Sequence, residues 1–92
     1  MPRGSVVTYQ RLYVGNISYS VDSHGLIEIF REHGVLGERP HIVMDRESGR
    51  SKGFGFINVP PEMADTAICA LNGAIVGGRT IRVDRAHDRG VR

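Results

Sequence analysis

Hydrophobic and polar residues alternate with a period of two in four short segments, a pattern that predicts four β-strands. In the third segment, for example, Ile57 and Val59 alternate with Phe56 and Asn58. Proline and glycine pairs, or a Ser-Gly tip, separate these segments and are typical of turns. The predicted strands cover residues 11–15, 40–45, 52–59 and 80–84.

Two further segments place apolar residues at helical spacing. In the first, Asp22 is a suitable N-cap, Leu26, Ile29 and Phe30 share one face, and Gly34 is a stop signal. The second covers residues 62–71, with Ala64, Ala67, Ile68 and Leu71 on one face, and ends at Asn72-Gly73. The chain therefore predicts two helices, one after the first strand and one after the third.

The order strand, helix, strand, strand, helix, strand predicts an α+β fold, the ferredoxin-like βαββαβ sandwich. Right-handed crossovers put both helices on one face of a four-stranded antiparallel sheet. The other face of the sheet then stays open to water. We expect one domain over residues 11–86, with a flexible leader at 1–10 and a basic tail at 87–92.

Strand parity divides the predicted sheet into two chemically different faces. The covered face is aliphatic and consists of Leu12, Val14, Ile42, Ile57, Val59, Ile81 and Val83. The open face mixes aromatic, cationic and polar side chains: Arg11, Tyr13, His41, Val43, Lys52, Phe54, Phe56, Asn58, Thr80, Arg82 and Asp84. Turning the sheet over would bury the lysine and arginines and expose the aliphatic set, so this inverted arrangement is the less favourable alternative.

Aromatic side chains on a solvent-exposed face require an explanation, because each ring would gain roughly 1.5–3 kcal/mol of free energy by burial. An exposed apolar patch with a polar rim is typical of a binding site. Flat rings beside cations suit unstacked bases and their phosphates. The open face is therefore the candidate functional surface.

Composition narrows the class of protein without naming its partner. The chain has 92 residues, 24% of them charged, and a net charge of only +2, although 11 of its 12 basic residues are arginine. The single cysteine, Cys69, excludes an intramolecular disulfide and fits a reducing compartment, so we expect an intracellular protein of the nucleus and/or cytoplasm. No metal-ligand spacing or apolar membrane segment is present, and we expect no cofactor, no metal and no membrane partner.

Two segments resemble the signature motifs of the RNA recognition motif family. These are Leu-Tyr-Val-Gly-Asn-Ile at 12–17 and Lys-Gly-Phe-Gly-Phe-Ile-Asn-Val at 52–59. The second fits the family's octamer at seven of eight positions, with Val59 in place of an aromatic residue. The chain is also similar to the RNA-binding domain of small glycine-rich RNA-binding proteins, although it has no glycine-rich tail.

The resemblance implies binding of single-stranded RNA by the open face. Tyr13 and Phe56 would each stack a base, Phe54 would pack against the sugars, and Lys52 would pair with a phosphate. Hydrogen bonds from the neighbouring polar residues would supply sequence preference. The candidate RNA-binding residues are Arg11, Tyr13, Asn16, His41, Val43, Arg50, Lys52, Phe54, Phe56, Asn58, Arg82, Asp84 and Arg85.

Two other classes of function remain as alternatives. A protein-interaction module could use the same fold, but the retained aromatic residues argue against it. A small enzyme would need a nucleophile and base, paired carboxylates or a phosphate-binding glycine loop, and the chain offers none of these. We expect a monomer in isolation without a small-molecule substrate, and single-stranded DNA remains open as a second partner.

Overall fold

The computed structural model describes residues 9–86. The strands are β1 (Gln10–Gly15), β2 (Glu38–Met44), β3 (Ser51–Val59), β4 (Ile75–Val76), β5 (Arg79–Thr80) and β6 (Arg82–Arg85), and the helices are α1 (Ser23–Glu32) and α2 (Ala64–Leu71). The predicted tail at 87–92 and most of the predicted leader lie outside the described residues. Within residues 9–86, no helix is long and apolar enough to cross a membrane.

Four strands pair in the order β2-β3-β1-β6 to form one antiparallel sheet. The two motif-bearing strands, β1 and β3, are therefore the central pair. Their register places Leu12 opposite Ile57 and Tyr13 opposite Phe56, so residues of equal parity share a face. The predicted α+β sandwich, with two helices and a four-stranded antiparallel sheet, is confirmed.

The core lies between the sheet and the helices and is wholly aliphatic except for Phe30. Every aliphatic residue predicted for the covered face is buried. On α2, Ala67 and Leu71 are buried, whereas Ile68 is only partly buried against the core. Two further core residues, Ile17 and Val35, lie in connecting segments, where no periodic pattern could indicate them.

Local sequence explains where α1 begins and where it ends. The Asp22 side chain accepts a hydrogen bond of 2.8 Å from the Gly25 N–H and caps α1. Gly34 follows α1 with a φ of +80°, a conformation that favours glycine.

The second helix was predicted to begin at residue 62, but a 3-10 turn over Pro61–Met63 precedes it and α2 starts at Ala64.

A small hairpin replaces the first part of the predicted fourth strand. Gly77 and Gly78 both have positive φ, as the two central residues of a type I′ hairpin turn require. This turn joins β4 to β5, so Thr80 pairs with Ile75 in the hairpin and not with the main sheet. The prediction that Thr80 lies on the open face of a strand over 80–84 is therefore wrong, because the Gly-Gly turn folds that segment back on itself.

Candidate nucleic-acid interface

Three aromatic rings lie together on the open face of the two central strands. Tyr13 comes from β1, and Phe54 and Phe56 come from β3; we call them the three-ring cluster. Ring centroids are 5.9 Å apart for Tyr13–Phe54, 6.0 Å for Tyr13–Phe56 and 6.3 Å for Phe54–Phe56. All three rings stay half-buried, so part of each faces solvent. The cluster is a continuous apolar platform.

Glycines in the neighbouring positions make room for this arrangement. A Cβ on Gly15 would overlap the hydroxyl end of the Tyr13 ring, so the ring lies over the end of β1. A Cβ on Gly55 would overlap the His41 carbonyl oxygen, so β2 can approach β3 closely only because this residue is glycine. The glycines of both motifs thus shape the platform without contributing side chains to it.

Cations flank the cluster at both ends. At one end the Arg11 guanidinium lies 5.3 Å from the Phe56 ring centroid, and its Nη1 donates a 2.8 Å hydrogen bond to the Asn58 side chain. At the other end Lys52 and Arg82 are both exposed. A cation over an aromatic face is attracted by the ring quadrupole. The arrangement therefore offers aromatic surfaces between two groups of cationic side chains.

The outer strands extend the same face. His41 lies opposite Phe56 and is exposed, and Asp84 lies opposite Tyr13 and is also exposed. Val43 is half-buried, beside an irregularity in the pairing of β2 with β3. Arg50 is exposed in the loop between β2 and β3. Ten of the candidate residues therefore belong to the open face, and Arg50 is on its rim: Arg11, Tyr13, His41, Val43, Lys52, Phe54, Phe56, Asn58, Arg82 and Asp84.

Asn16 has a structural task that the sequence did not reveal. Its φ is +60°, its Nδ2 donates a 2.7 Å hydrogen bond to the Thr80 carbonyl, and its Oδ1 accepts a 2.7 Å hydrogen bond from Arg79. Both polar atoms of the side chain are thus used to hold the β4–β5 hairpin against the end of β1. The structure places Asn16 beside the open face, already bound to the protein's own groups.

Arg85 does not join the aromatic face. It lies opposite the buried Leu12, so its side chain belongs to the helical side of the sheet. There it donates a 3.0 Å hydrogen bond to the Gln10 side chain and forms an ion pair with Asp65 of α2. The sequence analysis placed Arg85 among the RNA-binding residues of the open face, and this placement is wrong because β6 continues through Arg85 with strict alternation.

Tyr19 and Arg79 lie beside the three-ring cluster, although the sequence did not indicate them as binding residues. The exposed ring of Tyr19 lies 5.7 Å from the Arg79 guanidinium, and Arg79 in turn is bound to Asn16. With neighbouring cations they line a cleft of about 430 Å³ at the end of the platform. No local signal could have paired them, since Arg79 and Tyr19 are far apart along the chain and lie in loop and hairpin segments.

The titratable side chains of the described residues do not gather into a metal-binding cluster. Within residues 9–86, no group of three or more His, Cys, Asp or Glu side chains could hold a metal ion. Desolvation, followed by a hydrogen bond with Glu38, raises the pKa of the Tyr9 hydroxyl above its ordinary value. This shift keeps Tyr9 neutral at physiological pH, as an unperturbed tyrosine already is.

Comparisons with known proteins agree with this geometry. The protein-family model of the RNA recognition motif matches residues 12–82 of this chain. A 28 kDa chloroplastic ribonucleoprotein of Spinacia oleracea is 44% identical over 90 residues, covering 96% of this chain and 38% of the relative. The chain thus spans less than two-fifths of the length of that curated relative.

Solved structures share the fold. The crystal structure of RNA Binding Protein PG1 superposes with a TM-score of 0.78 at 33% identity, covering 87% of this chain and 96% of that chain. The Rna15 RRM with bound RNA (GU) has a TM-score of 0.71 at 26% identity, covering 88% of this chain and 89% of that one. The second of these carries RNA on the same architecture.

The relatives correct the expected location. Matching ribonucleoproteins of Spinacia oleracea, Nicotiana sylvestris and Arabidopsis thaliana are chloroplastic. This location of the relatives contradicts the prediction of nucleus and/or cytoplasm, which is wrong. A lone cysteine indicates a reducing compartment but does not distinguish the cytosol from an organelle.

The family match also decides between a binding module and an enzyme. The family and the matching ribonucleoproteins are non-enzymatic, so the prediction that the chain is not an enzyme is confirmed. The two motifs lie on the central strands, their aromatic residues meet on the open face, and the family model spans most of the chain. The chain belongs to the RNA recognition motif family, a family of RNA-binding domains.

Proposed function

We propose that the chain binds single-stranded RNA on the open face of its sheet and acts in RNA metabolism by occupying its target. The observation that carries this proposal is the three-ring cluster, with centroids between 5.9 and 6.3 Å apart on a face that no other described element covers. Solvent-facing rings between cations match the chemistry of an unstacked RNA strand.

Each ring has a separate task in this proposal. Tyr13 and Phe56 each stack one base, which contributes about 1–3 kcal/mol per base. Phe54, tilted 40° from Tyr13 and 85° from Phe56, packs against the sugars between them. The Arg11 guanidinium, 5.3 Å from the centroid of the Phe56 ring, is beside the proposed path of the strand and binds one of its phosphates.

Charged and polar neighbours supply the remaining contacts. Lys52 and Arg82 are exposed beside the rings and bind backbone phosphates. Asn58 and Asp84 are placed to hydrogen-bond base edges, which gives preference among bases. His41, Val43 and Arg50 flank the path of the strand on the β2 side. Stacking does not need the ribose hydroxyl, so the same rings can also take single-stranded DNA.

The proposal is tested by removing the rings while keeping the fold. The Phe54→Ala, Phe56→Ala double variant should lose most of its affinity for a labelled pool of randomised hexanucleotide RNA at low salt. The expected loss is about 5-fold to 150-fold from the base stacked on Phe56, with a further loss from the sugar contacts of Phe54. Fluorescence anisotropy measures the affinity, and circular dichroism confirms that the variant still folds.

A matched control is available in the β4–β5 hairpin, outside the three-ring cluster. Ile75 is 74% exposed and lies in the β4–β5 hairpin, so Ile75→Ala removes apolar surface without touching the platform. This variant should bind as the wild type does. If the double variant also binds as the wild type does, the open-face mechanism is wrong. If the wild type binds no RNA at low salt, the protein-interaction module becomes the better explanation.

A further inference from the structure

A cleft of about 430 Å³ opens at the end of the three-ring cluster. Its volume is in the range that accommodates a small organic ligand. Tyr13 and Phe54 form part of its lining, so the cleft continues the platform without a break. The remaining lining residues are Asn16, Tyr19, Lys52, Gly53, Arg79 and Arg82.

The charge of this cleft has one sign. Three lining side chains, Lys52, Arg79 and Arg82, are cationic, and the lining contains no aspartate or glutamate. All three cations are exposed. Such a cleft attracts anionic ligands and favours groups that accept several hydrogen bonds, as a phosphodiester does.

The Arg79 guanidinium is oriented before any ligand arrives. Its Nε donates a 3.3 Å hydrogen bond to the Asn16 carbonyl, and its Nη2 donates a 2.7 Å hydrogen bond to the Asn16 Oδ1. Asn16 is itself held by the 2.7 Å hydrogen bond from its Nδ2 to the Thr80 carbonyl. A side chain fixed in this way loses little conformational entropy when it binds, so its remaining N–H groups are prepared for an anion.

The Tyr19 ring is positioned by glycine and by the same arginine. A Cβ on Gly53 would come within 2.9 Å of the ring, and the Gly53 φ of +87° also favours glycine. The ring therefore rests on the backbone at the start of β3. It is nevertheless 66% exposed, with the Arg79 guanidinium 5.7 Å from its centroid. An exposed ring held against a rigid backbone is a suitable stacking surface.

We propose that this cleft is a second binding site, which takes one further nucleotide of an RNA strand already bound to the three-ring cluster. Arg79, with Lys52 and Arg82, binds the phosphate of that nucleotide, and its base packs against Tyr19. The inference rests on the proposed function, because the cleft extends the same path. It assigns binding roles to Tyr19 and Arg79, and it makes Asn16 a positioning residue.

The test compares RNA length and salt dependence. Randomised trinucleotide and hexanucleotide RNA pools are titrated against the wild type, Arg79→Gln and the control Arg31→Gln, which removes the same charge from exposed α1. Arg79→Gln should bind the hexanucleotide about tenfold more weakly, the loss expected for one charge-assisted contact, and the trinucleotide almost unchanged. The slope of log affinity against log salt should fall by about 0.7 for the hexanucleotide, the value for one phosphate on a single strand.

Two further variants separate charge, geometry and folding. Arg79→Lys should keep the salt slope but recover only part of the affinity, since lysine lacks the planar fork. Tyr19→Leu leaves the bonds between Arg79 and Asn16 in place; it should weaken hexanucleotide binding with the slope unchanged. In an NMR titration of the wild type, the hexanucleotide should shift the Arg79 side-chain N–H and the Tyr19 ring signals, and the trinucleotide should not.

Three results of these titrations would contradict the second site in the cleft, and they differ in what they imply for the three-ring cluster. If Arg79→Gln behaves as Arg31→Gln does, or weakens both RNA lengths equally, there is no second site in the cleft. If the ring variants lose binding while the Arg79 and Tyr19 variants keep it, the proposed function stands and the cleft inference falls alone. If the wild type binds neither pool, both are overturned together.

Discussion

The two faces of β3 have the same backbone but opposite chemistry. Gly55, Ile57 and Val59 point to the helices and are buried, whereas Phe54 and Phe56 point away from them and stay half-exposed. Burial of aliphatic side chains stabilises the fold, and its gain is complete before any ligand is present. The open face retains apolar surface that only a partner can cover. One strand therefore supports the core with one set of residues and the candidate interface with the other.

The type of apolar residue differs between the faces as clearly as its exposure. The core uses branched aliphatic side chains and a single aromatic residue, Phe30, which comes from a helix. The open face uses Tyr13, Phe54 and Phe56 with cations beside them. Branched side chains interdigitate well in a dry core, whereas flat rings present surfaces on which other rings can stack. The position of a ring relative to the helices, and not its hydrophobicity alone, therefore separates the core from the candidate interface.

The largest expected effect comes from removing the aromatic residue of the covered side. Phe30 is fully buried, so Phe30→Ala should lower the free energy of unfolding by about 3–5 kcal/mol. Phe54→Ala should lower it by about 1 kcal/mol or less, because that ring is half-exposed. Urea denaturation followed by circular dichroism measures both. Equal losses for the two variants would contradict the division into core and interface.

An intermediate effect is expected from a methyl group at Gly15. A Cβ there would overlap the hydroxyl end of Tyr13, and that end can move away at little cost in stability. Gly15→Ala should therefore displace the ring and weaken RNA binding by about 1 kcal/mol, the lower end for one stacked base. The control is the Tyr13→Ala background, in which Gly15→Ala should have no further effect on the dissociation constant. An equal loss in both backgrounds would show that the ring is not the cause.

The smallest effect is expected from a substitution at Arg85, which lies on the helical side of the sheet although it is close in sequence to Arg82 on the open face. Its ion pair with Asp65 is well exposed to solvent, so Arg85→Gln should lower the free energy of unfolding by under about 1 kcal/mol. Its RNA affinity and salt slope should equal those of the wild type. Arg82→Gln, three residues away on the open face, should weaken binding and reduce the slope by about 0.7. A similar loss at both positions would place Arg85 in the interface after all.

Much of the fold could be predicted because its signals are local. The alternation through β3 separated Phe54 and Phe56 from Ile57 and Val59 before any tertiary contact was considered. The cap at Asp22 was equally local, since the group it binds is only three residues away. The buried Ile17 and Val35 could not be selected, because a connecting segment carries no period from which burial can be inferred. The hairpin had a local signal in its Gly-Gly pair, but the strands on either side of that pair have two residues each, too few to show a period of two.

Which residues share a face follows from local sequence, because a period of two is a property of neighbouring residues in one strand. The three-ring cluster and the aliphatic core follow from the same period. The binding partners of the polar side chains at the margins depend instead on tertiary contacts. The Arg79 side chain meets Asn16 from 63 positions away, and Arg85 turns to Asp65 of α2 instead of to the rings. Such partners depend on how strand ends, a hairpin and a helix meet in space, and no local spacing encodes that meeting.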